Sequence, residues 1–193
     1  MAYLLSPIDI LSMGIFMLFE IRNAEIRCGQ RILLQNFSLR VEETDKILLL
    51  GENGSGKTTL IKYICRQFRS TCRISYLQQN DILPPYITVF KNLSLVGGPQ
   101  RAEDFLQRMG LQKYKNHYPY QLSGGVHRQL LLLRAMLFPF DLLILDEPFV
   151  HLDETAVPLL CKIIKMETEN RALLLSTHQN FEQLNFITKT VIV

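Results

Sequence analysis

Short apolar runs alternate with segments of helical periodicity along most of this chain. Ile47–Leu50, Leu142–Leu145 and Ala172–Ser176 are almost continuously apolar, and Arg73–Leu77 and Thr190–Val193 are further segments with strand character. Continuous apolar runs are typical of strands that are buried on both faces of a parallel sheet. We therefore predict an α/β fold in which helices cover both faces of a parallel sheet.

Helical periodicity appears in the segments that follow these runs. Thr58–Phe68, Val126–Phe138 and the segment from Asp153 to Thr168 carry apolar residues at the spacing of one helix face. Asp153 is placed to cap the last of these helices. Between about residues 83 and 138 the pattern is helical in several pieces without a strand, which predicts a helical subdomain inserted into the sheet.

The N-terminal third follows a different pattern. Phe19–Arg27 and Ile32–Val41 alternate apolar and polar residues around Cys28-Gly29-Gln30, which predicts an antiparallel hairpin. We expect residues 18–193 to form the domain and residues 1–17 to be an extension whose order the sequence leaves open.

The apolar run within that extension is short. It covers about ten residues from Ile10 to Phe19, about half of what a membrane helix needs. A secretory signal has a positively charged segment before its apolar run, but no Lys or Arg precedes this one. Met13 and Met17 are alternative start sites.

Composition narrows the choice of partners. A formal net charge of +3 over 193 residues does not indicate a nucleic-acid partner, and no basic run with interleaved aromatic residues is present. The four cysteines, Cys28, Cys65, Cys72 and Cys161, form no C-x-x-C pair. A zinc site is therefore not expected; unpaired thiols suit a reducing cytosol, and we expect all four to be small buried residues.

The segment between the first apolar strand and the next helix has the spacing of a phosphate-binding loop. Its members are Gly51, Glu52, Asn53, Gly54, Ser55, Gly56, Lys57, Thr58 and Thr59. Glycines allow the backbone N–H groups to point inward, and a helix N-terminus adds partial positive charge. Lys57 would reach the β- and γ-phosphates and Thr58 would ligate Mg²⁺. The alternative is a glycine-rich turn that only matches the pattern.

Two carboxylates follow a buried strand. Asp146 and Glu147 come directly after Leu142–Leu145, at the strand end where α/β sheets place their ligands. Asp146 is suited to hold Mg²⁺ through water, and Glu147 to orient or deprotonate an attacking water. The alternative is a pair of exposed acids in a loop.

A second loop, formed by Leu122, Ser123, Gly124 and Gly125, precedes a helix and offers another anion site. Taken by itself, it could equally be a loop with a helix cap.

These motifs, in this order, resemble those of the ATP-binding subunits of ATP-binding-cassette (ABC) proteins over about residues 18–193. Gly51–Thr59 resembles the Walker A motif, Leu122–Gly125 the signature and Leu142–Glu147 the Walker B motif. The resemblance implies a P-loop NTPase fold of the ABC type, with a parallel sheet, a small antiparallel part and a helical insertion.

Three further residues match the family's motifs. Asp153 in Leu152-Asp153 resembles the D-loop residue, and His178 after Ser176-Thr177 resembles the switch histidine. Gln79 resembles the Q-loop glutamine, with Gln78 as the alternative register. The resemblance implies that His178 binds the γ-phosphate beside Glu147.

The resemblance also implies how the site is assembled. ATP and Mg²⁺ would be sandwiched between two copies of the chain that pair head to tail. Ser123 and Gly125 of one copy would contact the γ-phosphate bound to Lys57 of the other. The residues that would bind Mg²⁺ are Thr58, Gln79 and Asp146.

The same resemblance implies a membrane permease as partner and a cytoplasmic location, peripheral on the inner face of the membrane. Because no stretch reaches the roughly 20 apolar residues of a spanning helix, we expect another chain to supply the transport pathway. Phe90, Leu93 and Tyr86 are candidate anchors for the permease, flanked by Lys91 and Arg101. The alternative is that these aromatic and apolar residues form the core of the insertion.

Within the family, the compact length and the runs Leu145–Phe149 and Ser176–Gln179 are most similar to the ATP-binding subunit of the heme exporter of cytochrome c maturation. A soluble ABC-type ATPase without a permease and a non-hydrolytic ATP-binding scaffold are the alternative functions.

Some positions depart from the family pattern. The usual signature glutamine is Val126, and the arginine expected three residues later is Gln129, with Arg128 beside it. We expect these changes to weaken the links between the signature helix and its surroundings. Cys28 stands near the position of the aromatic residue that usually stacks on adenine. The segment from Lys57 to Gln79 is short, so the antiparallel part is expected to be trimmed.

Overall fold

A computed structural model describes residues 16–179 and 182–193 of the chain. Most of the expected N-terminal extension lies outside these ranges. In the described part, strand β1 (Met17–Cys28) and strand β2 (Arg31–Glu42) form the antiparallel hairpin. The predicted turn at Cys28-Gly29-Gln30 joins them, and Gly29 has a φ of 60° in this tight connection. The hairpin prediction is confirmed.

The central sheet is parallel throughout. Its strands are β3 (Lys46–Leu50), β4 (Ile74–Leu77), β5 (Leu142–Asp146), β6 (Ala172–Thr177) and β7 (Lys189–Ile192), in the spatial order β4-β5-β6-β3-β7. Asp146 pairs with Ser176, and Leu50 pairs with Thr177. The carboxyl ends of β3, β5 and β6 therefore meet at one edge.

Five helices surround this sheet in the described ranges. They are α1 (Lys57–Phe68), α2 (Val89–Gly97), α3 (Pro99–Arg108), α4 (Gly124–Leu137) and α5 (Ala156–Glu167). Single 3₁₀ turns occupy Gln112–Tyr114, Pro119–Gln121 and Glu182–Leu184.

Short polar side chains fix where several helices begin. Thr88 accepts a hydrogen bond from the Lys91 amide before α2, and Ser123 accepts one from the Val126 amide before α4. Asp153 accepts one from the Ala156 amide at 2.8 Å. The Asp153 side chain thus bonds to the first turn of α5 as predicted, but the N-cap residue of this helix is Thr155 and not Asp153.

Both faces of the sheet are covered, which explains the continuous apolar runs. Leu143 and Leu145 pack in one core cluster with residues of α2 to α5, whereas Leu142 and Ile144 pack in another with α1 and the hairpin. Alternate residues of one strand thus enter different cores. Helices α2, α3 and α4 follow β4 and precede β5, where the helical insertion is expected. Its boundaries as a separate subdomain stay a prediction.

Candidate nucleotide-binding site

The phosphate loop leaves the carboxyl end of β3 and enters α1. Gly56 has a φ of 114°, in the left-handed region that favours glycine, and a Cβ there would lie 3.2 Å from the Leu33 side chain. A Cβ on Gly51 would lie 2.2 Å from the carbonyl oxygen of Val193. These two close approaches explain why the loop needs glycine at its start and at its end.

Lys57 is the buried cation of this loop, with 5% of its surface exposed. Its Nζ donates to the carbonyl oxygens of Gly51 at 2.6 Å and Glu52 at 3.0 Å. The Oε1 atom of Glu147 lies 3.4 Å away. The ammonium group is thus fixed at the centre of the loop, where it is available to phosphate oxygens.

Asp146 is fully buried at the end of β5 and is held by three hydroxyl groups. Thr58 Oγ1 donates to Oδ2 at 2.8 Å, Ser176 Oγ donates to Oδ1 at 2.6 Å, and the Tyr76 hydroxyl lies 3.3 Å from Oδ2. Burial first, and then the negative charge of Asp146, raise the pKa of Tyr76. Tyr76 therefore remains a neutral donor.

Thr58 and Asp146 together offer hydroxyl and carboxylate oxygens, the donors that Mg²⁺ prefers. The predicted metal-binding pair is thus brought together. Gln79, the third predicted member, is exposed and lines the same cleft. Its role in holding a metal stays a prediction.

Glu147 lies one residue beyond the strand in an uncommon backbone conformation, with a φ of 48°. Its amide donates to Ser176 Oγ at 3.0 Å. Its carboxylate lies between Lys57 and His178, whose Nδ1 is 3.2 Å from Oε2. The side chain is 8% exposed, against 37% for His178. The predicted base and the predicted switch histidine are therefore in contact.

Several of these groups line an open cleft of about 480 Å³, whereas His178 lines a smaller neighbouring pocket of about 220 Å³, and Glu147 belongs to both. The cleft is lined by Cys28, Arg31, Leu33, Asn53, Gly54, Gly56, Lys57, Thr58, Thr59, Gln79 and Glu147. Sequence reasoning placed Cys28 here but missed Arg31 and Leu33. Their only signal was their position just after the hairpin turn.

The cysteines divide into two groups. Cys28 is exposed, so the expectation that it is a buried residue is wrong: it stands at the tip of a hairpin. Cys72 and Cys161 are buried and Cys65 is half-buried. Burial raises the pKa of Cys65 to about 11 and that of Cys161 to about 12.

The signature loop, Leu122–Gly125, does not line this cleft. Ser123 and Gly124 are exposed at the start of α4. A Cβ on Gly125 would lie 3.1 Å from the carbonyl oxygen of His151, so this glycine packs closely against the loop that leads to Asp153. The structure thus brings the signature loop close to the D-loop segment.

Arg128 corrects one expectation about the departures in this helix. It is 7% exposed and donates hydrogen bonds to backbone carbonyl groups of two other segments. The acceptors are Gln78, Gln79, Asp146, Glu147 and Pro148, at 2.8–3.3 Å. The expectation that the changes at Val126 and Gln129 weaken the links of α4 is wrong, because Arg128 supplies those links.

The candidate permease anchors also need correction. Leu93 is fully buried in the core of the insertion, and Phe90 is half-buried beneath the ammonium group of Lys115, 4.3 Å from the ring centroid. Arg101 is paired with Glu167. Tyr86 is exposed, at 89%. The helical periodicity did not distinguish the inward face from the outward one.

Comparison with known proteins identifies the family. Residues 34–150 match the family model described as ABC transporter. The formylaminopyrimidine import ATP-binding protein ThiZ of Halalkalibacterium halodurans is 36% identical over 172 residues, which are 79% of this chain and 69% of that protein. The aliphatic sulfonates import ATP-binding protein SsuB 3 of Paraburkholderia xenovorans is 29% identical over 187 residues, 90% of this chain and 76% of that protein.

A shorter part of another relative is matched. The zinc import ATP-binding protein ZnuC of Buchnera aphidicola is 32% identical over 154 residues, 73% of this chain and 64% of that protein. The chain thus spans about two thirds of the length of several relatives.

Solved structures support the same fold. An ATP-binding subunit of an ABC transporter superposes with a TM-score of 0.77 at 22% identity, over 90% of this chain and 85% of that one. A Pyrococcus furiosus protein described as an ABC transporter ATP-binding protein gives a TM-score of 0.79 at 21% identity, over 90% and 96%. Because the sequence identities are only 21% and 22%, these superpositions show a shared fold and nothing more.

Proposed function

We propose that this chain, which belongs to the ABC transporter ATP-binding family, hydrolyses ATP at a site shared by two copies and thereby drives a membrane permease. The chain is an ATPase of the ABC type; what we propose is how its residues divide the work. The observation that carries the proposal is the contact of Glu147 with both Lys57 and His178, at 3.4 and 3.2 Å.

Binding of the triphosphate falls to the loop between β3 and α1. The loop amides and the N-terminus of α1 face the phosphates, and Lys57 neutralises their negative charge. Its present hydrogen bonds to Gly51 and Glu52 hold the ammonium group in place before a nucleotide arrives. This preorganisation reduces the cost of ordering the side chain upon binding.

Thr58 and Asp146 would hold Mg²⁺, with Gln79 nearby. A magnesium ion there would offset negative charge on the β- and γ-phosphates. The Thr58 hydroxyl lies 2.8 Å from the Asp146 carboxylate. This supports the assignment, because two oxygens so close together can bind the same metal ion.

Glu147 acts on the attacking water. It accepts the proton while the water oxygen bonds to the γ-phosphorus and the bond from that phosphorus to the bridging oxygen of ADP breaks. We assign His178, which contacts Glu147 and is the more exposed of the two, to the γ-phosphate. The contact between the two side chains keeps the base, Glu147, beside the residue that binds the γ-phosphate, His178.

The signature loop of a second copy completes the site. Ser123 and Gly125 lie outside the cleft of their own chain, at the N-terminus of α4, a position suited to an anion. We therefore assign Ser123, Gly124 and Gly125 to the γ-phosphate bound to the partner copy, with Asp153 in the adjoining interface.

The permease would contact the exposed apolar residues between Gln79 and the end of α2. Ile82 is 70% exposed, Tyr86 89% and Leu95 64%, and all three follow the glutamine segment. Surface positions of this kind suit an apolar partner helix. This set replaces the anchors that sequence reasoning placed at Phe90 and Leu93. In the part of the chain that the structure describes, no helix is both long and apolar enough to cross a membrane.

The names of the relatives also bear on the direction of transport and on the transported substrate. ThiZ, ZnuC and SsuB 3 are named as import proteins for different substrates, so their names favour import over the heme export inferred from sequence runs. Because those substrates differ, the proposal takes no cargo from them. A permease-free ATPase remains the alternative against which the proposal is tested.

Catalysis is tested by Lys57→Ala with Lys62→Ala as control. Lys62 is exposed on the same helix and lies outside the cleft lining. Lys57→Ala should lose ATP binding and turnover, because the buried positive charge that faces the phosphates is gone, whereas Lys62→Ala should behave as wild type. Equal turnover in all three proteins would refute the proposed site.

The permease is tested by affinity purification from membranes of wild type and of Tyr86→Glu. Met166→Glu is the control, since Met166 is an exposed apolar residue at the far end of α5. We expect an integral membrane protein to accompany wild type and the control but not Tyr86→Glu. Recovery of soluble partners alone would favour the permease-free ATPase.

A further inference from the structure

Arg128 joins three segments of the site through one guanidinium group. A guanidinium has five N–H donors, and in Arg128 the three nitrogens that carry them make five hydrogen bonds to backbone carbonyl oxygens. Nη1 donates to Gln78 and Gln79 at 3.0 and 3.1 Å. Nη2 donates to Asp146 and Glu147 at 2.9 and 2.8 Å, and Nε to Pro148 at 3.3 Å. The glutamine segment, the catalytic loop and the signature helix are thereby fastened together.

The backbone of Glu147 depends on these contacts. Its φ of 48° lies in the left-handed region, which residues other than glycine occupy only when their surroundings hold them there. Ser176 accepts the hydrogen bond from the Glu147 amide, and Arg128 donates to the Glu147 carbonyl oxygen. Side chains therefore hold both polar backbone atoms of this residue. The direction of its carboxylate, towards Lys57 and His178, follows from that conformation.

We infer that Arg128 is a positioning residue for the reaction: it holds the backbone of Glu147 in its catalytic conformation and ties that conformation to the segment Gln78–Gln79. The inference rests on the proposed role of Glu147 as the base. It adds a specific connection between the base and the segment that precedes the proposed permease contact. A shift of that segment would reach Glu147 through a single side chain.

Lysine cannot replace this group. An ammonium has three donors on one nitrogen, so it cannot make all five of these hydrogen bonds in the fork geometry of arginine. Arg128→Lys should retain the charge but leave buried carbonyl oxygens unpaired and let the Glu147 backbone relax. Because Lys57 and the phosphate loop are untouched, ATP affinity should stay close to that of wild type.

The test measures kcat and the ATP dissociation constant for Arg128→Lys in the full chain. We expect kcat to fall on the order of tenfold or more, as for a misplaced catalytic group, while ATP affinity changes less than about twofold. Arg134→Lys is the control, since Arg134 lies on the same helix with its guanidinium group 5.6 Å from the centroid of the Phe138 ring. Its kcat should match that of wild type.

A double-mutant cycle separates positioning from general destabilisation. If Arg128 acts through Glu147, adding Arg128→Lys to Glu147→Gln should lower the residual single-turnover rate by less than about twofold, because coupled residues are not additive. Guanidinium added to Arg128→Ala should restore part of kcat; if Arg128→Ala does not fold, the lysine variant decides.

Three results would overturn the inference: an unchanged kcat in Arg128→Lys, an equal loss in the Glu147→Gln background, or a loss of ATP affinity as large as the loss of kcat. If instead wild type and Glu147→Gln hydrolyse ATP equally, the proposed function itself fails. The two failures are therefore distinguishable.

Discussion

The nucleotide cleft and the signature loop are the two regions of the chain to which we assign anion binding, and they differ in how far the chain itself surrounds them. In the cleft, Lys57, Asp146 and Glu147 are between 0% and 7% exposed, and each has polar partners within the chain. In the signature loop, Ser123 and Gly124 are exposed at the N-terminus of α4. The cleft is preorganised, whereas these two residues of the loop face solvent.

The difference indicates which half of the site each region supplies. Buried groups that are held by their own chain fix the positions of phosphate and metal before binding. An exposed helix N-terminus outside the cleft is available only to an anion carried by another molecule. We therefore expect changes in the cleft to affect binding or chemistry in one chain, and changes in the signature loop to affect assembly.

The largest effect is expected for Glu147→Gln. The amide is nearly the same size as the carboxylate and can still contact His178, but it cannot accept the proton of the attacking water. We expect kcat to fall by ~100-fold or more, with ATP binding retained. Phosphate release measures the first quantity and equilibrium binding the second. Unchanged turnover would rule out Glu147 as the base.

A smaller but specific loss is expected for Ser123→Arg. The long side chain would fill the space in front of the α4 amides, while the cleft of the same chain stays intact. Hydrolysis should fall by at least ~tenfold, as when a phosphate-binding donor is removed, with ATP affinity unchanged. In light scattering, ATP should shift Glu147→Gln towards dimer but not the Glu147→Gln, Ser123→Arg double variant. A lost ATP affinity in Ser123→Arg would place the loop in its own chain's site.

The two regions also differ in how far sequence could predict them. The phosphate loop and the two carboxylates are local patterns beside buried strands, and a parallel sheet necessarily gathers such strand ends at one edge. Thr58 and Asp146 are 88 residues apart in sequence yet in contact, as this reasoning requires. The prediction that Leu93 contacts the permease was wrong, because the periodicity of a short helix does not show which of its faces packs into the core.

Arg128 could not be recognised from pattern alone. Its five acceptors are backbone groups of loops 18–50 residues away, so no residue type at a fixed spacing signals them. Arg31 and Leu33 belong to the cleft because the hairpin folds over Gly56, a tertiary contact that the strand pattern does not specify.

The smallest effect concerns the base of the nucleotide. Cys28 lines the cleft but offers no ring on which adenine can stack. Cys28→Tyr should tighten ATP binding by about two- to tenfold, the range expected for one aromatic contact, and calorimetry with ATP and with tripolyphosphate measures it. Only ATP should gain affinity. An equal gain for both ligands, or none for either, would place the adenine contact elsewhere.

The same thiol gives an independent readout of cleft occupancy. Because burial raises the pKa of Cys65 to about 11 and of Cys161 to about 12, these thiols hold little thiolate at pH 8 and should alkylate slowly. Exposed Cys28 should react fastest, and ATP should protect it. Mass spectrometry of peptides after brief alkylation measures each rate. Fast labelling of Cys28 that ATP does not slow would remove it from the nucleotide site.

The central claim is that each site combines Lys57 of one copy with Ser123 of the other, and mixing two impaired variants tests it most directly. A dimer of one Lys57→Ala chain and one Ser123→Arg chain contains one site with both residues intact. In an equal mixture half of the dimers are of this kind, so turnover per chain should rise to about a quarter of the wild-type value if the sites act independently. The two variants measured separately should stay well below this value. A mixture no more active than the sum of its components, under conditions where wild type dimerises with ATP, would contradict the account.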